Sequence, residues 1–186
     1  ITGSANADFL TSVGADAITA GAGADTITLP GSGTAVQTIV LGTTAASADV
    51  IVNYVTAEDK IDLSASLTAA TLTIGTQLAV GAAANATAAI AVVTTAANTD
   101  AEVYYIENTA AATGVLTLAQ IETAITAGSS ATGQVTVVVD NGTDTLIYID
   151  QAAQTDAGSG AGLILVGTLD GITGATAVAT GDLISV

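Results

Sequence analysis

Over the first 33 residues large apolar side chains recur every eight to nine positions, each two residues after an aspartate: Asp8-Phe9-Leu10, Asp16-Ala17-Ile18, Asp25-Thr26-Ile27. That spacing fits neither the 3.6-residue period of an amphipathic helix nor the two-residue alternation of a lone strand. It does fit a coil in which a very short strand alternates with a tight turn, so that one repeat unit is half a coil. The units run Thr2 to Leu10, Thr11 to Ile18 and Thr19 to Ile27, with Gly3, Gly14, Gly21 and Gly23 in the stretches between apolar positions.

After Leu29-Pro30-Gly31-Ser32-Gly33 the repeat stops and longer strand candidates begin, at Val36 to Leu41 and Asp49 to Val55. Both are β-branched and apolar, as strands buried on at least one face are. Residues 67 to 98 mix Ala, which favours helix, with Thr, which favours strand, and their pattern stays open. Ala101 to Ile106 reads as a strand. Leu116 to Ile125 reads as a helix, because Leu118, Ile121 and Ile125 share one face and Gly128 can end it. Gln134 to Val139 and Thr145 to Ile149 flank Asp140-Asn141-Gly142-Thr143-Asp144, a hairpin signal because Asn-Gly tolerates positive φ. Leu163 to Val166 and Leu183 to Val186 complete a β-rich end. The expected fold class is mainly β: a short parallel β-roll at the N-terminal end leading into a β-sandwich or β-rich C-terminal part with one or two short helices. The expected division is residues 1–64 and 65–186.

Charge narrows the range of partners. Seventeen acidic residues stand against one basic residue, Lys60, for a formal net charge of −16. Nucleic acid and anionic lipid need clustered Lys or Arg, so both are expected to be repelled, and cations are the natural partners. Cys and His are absent, which removes disulfides, thiolate metal sites and the commonest general base. The remaining acids are spread through loops with no nucleophile–base pair, so no catalytic role is expected. No run reaches the roughly 20 apolar residues of a membrane span, since the stretch from Val80 to Ala97 is interrupted by Gly81, Asn85 and several Thr. The opening Ile1-Thr2-Gly3 resembles the middle of a repeat and no secretory leader is evident, so the true N-terminus is expected to lie further upstream.

The repeat also carries candidate chemistry. Gly21, Gly23, Asp25 and Ile27 match a glycine loop followed by Asp, one residue, and an apolar strand residue, with Ala20 at a position where glycine would stand. A hard cation takes six to eight oxygens, and such a loop can turn carbonyls inward while a carboxylate closes the shell. Successive half-coils lie on opposite sides, so Asp8 and Asp25 are expected on one edge and Asp16 on the other. The alternative for all three is a turn-forming aspartate that accepts local backbone N–H groups.

This region resembles the RTX family of calcium-binding secreted proteins. The segment from Asp49 to Ser64, Asp-Val-Ile-Val-Asn-Tyr-Val-Thr-Ala-Glu-Asp-Lys-Ile-Asp-Leu-Ser, is similar to the one that follows the repeats in serralysin-type C-terminal domains. It departs from that pattern at Asn53, where Asp is usual, and at Ala57, where Gly is usual. The resemblance covers residues 1–64 and, more loosely, 134–186. It implies Ca²⁺ as the bound ion and Asp8, Asp16, Gly21, Gly23, Asp25, Asp49, Asp59 and Asp62 as its ligands or loop formers. For Asp59 and Asp62, a capped turn beside Lys60 is the open alternative. The ending Gly181-Asp182-Leu183-Ile184-Ser185-Val186 is similar to the uncleaved export signals of type I secretion substrates. Together these features suggest the C-terminal part of a bacterial surface-layer protein, extracellular and self-associating. An accessory domain of a secreted serralysin-like protease, or the terminal domain of an RTX adhesin, would share the same calcium chemistry. Tyr54, Tyr104, Tyr105 and Tyr148 lie in strand-like runs and are expected in the core rather than in a sugar-binding platform.

Overall fold

The computed structural model describes residues 1–33, 35–65, 73–74, 102–106, 117–119, 121, 135–150, 162–174, 177–178 and 181–184. The chain is mainly β, with parallel and mixed sheets. Six short strands come first: β1 (Phe9–Thr11), β2 (Ala17–Thr19), β3 (Thr26–Thr28), β4 (Thr38–Val40), β5 (Asp49–Val52) and β6 (Lys60–Asp62). They alternate between two sheets. Strands β1, β3 and β5 pair in parallel in one, and β2, β4 and β6 in the other.

The alternation follows from where the apolar residues stand. In strands this short only the middle side chain points between the sheets, because successive residues face opposite ways. Those residues are Leu10, Ile18, Ile27, Ile39, Ile51 and Ile61, and register stacks them as Leu10 on Ile27 on Ile51 and as Ile18 on Ile39 on Ile61. All but Leu10 are completely buried. Each buried isoleucine contributes roughly 1.5–3 kcal/mol over leaving it exposed. This stacking continues well past residue 33, where the sequence period is lost. The connections 29–37 and 41–48 are longer than 12–16 and 20–25, so the spacing changes while the rungs remain.

The later strands are β7 (Thr73–Ile74), β8 (Glu102–Ile106), β9 (Val135–Asp140), β10 (Thr145–Asp150), β11 (Leu163–Leu169) and β12 (Leu183–Ile184). The larger sheet has the order β1-β3-β5-β11-β10-β9-β8-β7 and the smaller β12-β6-β4-β2. Strand β11 runs parallel to β5 and β12 parallel to β6, so the C-terminal strands add a rung to each stack and the pairing crosses residues 64 and 65. Strands β9 and β10 form the antiparallel hairpin. At its tip Asn141 Oδ1 accepts the N–H groups of Thr143 and Asp144, at 2.9 and 2.8 Å, and Gly142 takes φ 89°.

Among the described residues two apolar clusters result. One fills the space between the sheets, from Ile18 and Ile27 through Leu63, Tyr105, Val138 and Ile147 to Leu183. The other gathers Ile106, Val137, Val139, Leu146, Tyr148 and Leu163 with Ile121. Ile121 N–H donates to Thr117 O at 3.1 Å, one helical turn of the expected 116–125 helix; the rest of that segment, and most of 65–132, lies outside the described residues.

Candidate cation site in the stacked turns

The turns that lead into β1, β3 and β5 lie on top of one another, and an aspartate stands at the same level in each. Cα register places Phe9 beside Thr26 and Thr26 beside Val50, so Asp8, Asp25 and Asp49 form a column. The column is bonded through its side chains. Asp8 N–H donates to Asp25 Oδ1 at 2.7 Å, and Asp25 N–H donates to Asp49 Oδ1 at 3.1 Å. Each carboxylate therefore caps the backbone of the preceding coil. Asp8 itself turns its Oδ2 onto Ser4 N–H, at 2.5 Å.

Two glycines let these turns approach. Gly21 and Gly23 take φ of 105° and 107°, where side chains with a Cβ are strained. A Cβ at Gly21 would lie 2.1 Å from Ser4 O, and one at Gly23 would lie 2.6 Å from the carbonyl carbon of Asn6. Here the Ala22 N–H donates to Ser4 O at 3.2 Å, tying the second turn to the first.

Electrostatically the column is under-compensated. Asp25 and Asp49 are almost wholly buried, at 1% and 0% exposure. Among the described residues Asp25 Oδ2 and Asp49 Oδ2 have no hydrogen-bond partner. Burial pushes the Asp49 carboxyl from 3.8 up to about 7. The N–H groups of Asp25 and Gly42 pull it down, and the neighbouring Asp25 carboxylate pushes it up. Two buried carboxylate oxygens facing no donor can take a shared proton or a hard cation.

The opposite edge has a different character. There the corresponding column is Asp16, Gln37 and Asp59, and an amide interrupts the acids. Asp16 Oδ2 accepts the Ser12 hydroxyl at 2.7 Å, a bond that holds its carboxyl below the usual range. Asp59 uses both oxygens on backbone N–H groups, of Gln37 at 3.1 Å and of Val55 at 2.9 Å. Tyr54 Oη donates to Asp59 O at 3.0 Å, and Asp62 Oδ1 caps Ser64 N–H at 2.9 Å. Of the eight residues singled out in the sequence, then, Asp8, Asp25, Asp49, Gly21 and Gly23 belong to one edge. Asp16 and Asp59 occupy the other, and Asp62 lies at the end of β6. Among the described residues no group of three or more acids converges as a metal cluster.

Asn53 and Ala57, the two departures from the family pattern, both adopt left-handed φ, of 62° and 66°. Ala57 thus holds the conformation that glycine would adopt without strain. Its N–H points at a carboxylate that the sequence reading had not placed with the turns: Asp182 accepts it at 3.1 Å on Oδ1 and 3.0 Å on Oδ2. Lys60 Nζ lies 3.4 Å from the same side chain. The signal was present in Asp182-Leu183-Ile184, an aspartate followed by apolar residues as in the first coils. Tyr54, Tyr105 and Tyr148 are all buried. Burial first, then the nearby Asp182, pushes the Tyr54 and Tyr105 hydroxyls above the usual range.

Comparison with known proteins gives no match to any family model, curated protein or solved structure. Among the described residues, no helix is long and apolar enough to cross a membrane.

Proposed function

We propose that the chain is a non-catalytic, calcium-binding structural module of an extracellular bacterial protein, of the surface-layer type, which folds and self-associates when it meets Ca²⁺ after type I secretion. The observation that carries the reading is the Asp8–Asp25–Asp49 column, in which two buried carboxylates each keep an oxygen without a donor. A chain with seventeen acids and one lysine has little of its own to neutralise them. The donor set fits a hard cation: Asp25 Oδ2 and Asp49 Oδ2 would be its anionic ligands, and turn carbonyls and water would complete six to eight oxygens. The calcium-poor cytoplasm leaves the acidic turns unneutralised, and millimolar Ca²⁺ outside couples ion binding to folding.

Calorimetric titration with CaCl₂ of the wild type and of Asp25→Asn and Asp49→Asn tests this. Saturable binding that either substitution weakens at least about tenfold supports the reading. Each removes one anionic ligand, and tenfold corresponds to about 1.4 kcal/mol. Binding unaffected by both substitutions, or no binding, overturns it. Full occupation of Asp59 by N–H groups favours a second reading, in which the aspartates serve only as turn caps. In that case Ca²⁺ binds nowhere in the column. An accessory domain of a secreted protease or the end of an adhesin would bind Ca²⁺ equally well but stay monomeric.

A further inference from the structure

We propose that Asn141, at the tip of the β9–β10 hairpin, is a self-modifying residue: its side-chain amide closes on the backbone nitrogen of Gly142, and water opens the ring to aspartate or isoaspartate. This chemistry is independent of Ca²⁺ and of the column of turn aspartates.

Ring closure needs a backbone nitrogen that can give up its proton and a side-chain carbonyl carbon made electrophilic, the two held side by side. The turn equips both reactants. Gly142 has no Cβ to shield its nitrogen, and it takes φ 89°. Its N–H donates to Asp140 Oδ1 at 2.7 Å, so a carboxylate on a residue only 6% exposed stands as general base against the nucleophile. On the other reactant, Asn141 Oδ1 accepts the N–H groups of Thr143 and Asp144, at 2.9 and 2.8 Å. Two backbone donors on that atom identify it as the amide oxygen, and they stabilise the negative charge that grows there during attack. Either cap alone is an ordinary turn device. Here the two caps fall on the two reacting groups, and Gly142 and Thr143 are exposed, so water reaches the ring.

The Gly142 N–H proton passes to Asp140, the nitrogen's electron pair attacks Asn141 Cγ, and the tetrahedral intermediate collapses by breaking the bond to the side-chain nitrogen. That nitrogen leaves as ammonia, taking the proton that Asp140 received. Water then hydrolyses the cyclic imide at one of its two carbonyls and restores an N–H, so one water enters and one ammonia leaves. An aspartate product keeps its acceptor oxygens for the two N–H groups, now charge-assisted, whereas isoaspartate lengthens the main chain by a methylene. Both add a charge beside Asp140 and Asp144. They do so where the hairpin is tied to the turn after β11, through Gly171 N–H to Asp144 Oδ1 at 2.9 Å and the Thr145 hydroxyl to Ile172 O at 2.8 Å.

Peptide mapping by mass spectrometry of the full chain, aged near neutral pH, reads the product at position 141, because both products differ from the amide in mass. The folded chain should convert at least about tenfold faster than the same chain in urea, a modest share of what a positioned general base contributes. Asp140→Asn keeps an acceptor for Gly142 N–H and removes the base, so it should slow the folded chain by about the same factor. Conversion that is as fast or faster in urea overturns the site. So does a folded Asp140→Asn protein that converts at the wild-type rate; if that variant fails to fold, the wild-type comparison with urea decides.

Discussion

Replacing Ala57 with glycine should stabilise the protein, against the usual direction of mutation. Ala57 sits at φ 66°, where a Cβ crowds the following carbonyl at a cost of roughly 1–2 kcal/mol. Its methyl group is exposed, so removing it forfeits little burial. Glycine brings greater freedom to the unfolded chain, a penalty of about 0.4–1 kcal/mol. The difference is a gain of about 1 kcal/mol, which for a chain of this size raises Tm by about 2–4 °C. The N–H that serves Asp182 is retained. Ala57→Val, β-branched, should lose about 1 kcal/mol or more at the same position. Asn53→Gly is the control. Asn tolerates left-handed φ, and its Nδ2 donates to Leu29 O at 3.2 Å, so relief of strain and loss of a hydrogen bond roughly cancel. The assay is calorimetric melting of all four proteins in the same buffer. A glycine variant that melts at or below the wild type, with the valine variant no worse than the alanine, would refute the strain argument.

Gly21→Ala should destabilise by about 2 kcal/mol or more, since it combines strained φ with a clash on Ser4 O; a urea midpoint unchanged from wild type would contradict the close stacking of turns. Asp25→Asn keeps an acceptor for Asp8 N–H and removes a charge beside Asp49, so in EGTA it should melt at or above the wild type; a clear loss would mean that the ionised pair is itself stabilising. The pH dependence follows from Asp49, whose carboxyl rises from 3.8 to about 7 on folding. The folded chain therefore holds a proton that the unfolded chain releases, so this contribution is complete below about pH 4, shrinks as pH rises and is gone above about pH 7. Melting of Asp49→Asn against wild type in EGTA between pH 5 and pH 8 should show the variant gaining as pH rises, and parallel curves would deny the shift.

The first coils could be read from the sequence because Asp8, Asp16 and Asp25 each precede an inward-facing apolar residue by two positions, at nearly constant spacing. The rungs at Ile39 and Ile51 read from the sequence only as strands and the one at Ile61 does not read as a strand at all, since longer connections destroy the period and Gln37 stands where an acid would mark the turn. The hairpin of β9 and β10 was legible because Asn141-Gly142 is a local device. The docking of β11 on β5 and β12 on β6 was not legible, because no local pattern encodes a partner more than a hundred residues away. The aspartates could be named from sequence, yet their division could not. Asp25 and Asp49 face a donor-poor interior while Asp59 is saturated by N–H groups, and that difference arises only from how the turns stack.

The measurement that tests the calcium reading most directly is thermal unfolding with light scattering, first in EGTA and then in millimolar Ca²⁺, with Mg²⁺ as control. At a hundredfold excess over Kd a single site adds about 2.7 kcal/mol, or about 5–10 °C in Tm at this chain length. Tm should rise by that amount with Ca²⁺ but not with Mg²⁺, accompanied by growth of large particles. Identical melting curves in EGTA and Ca²⁺ would contradict it.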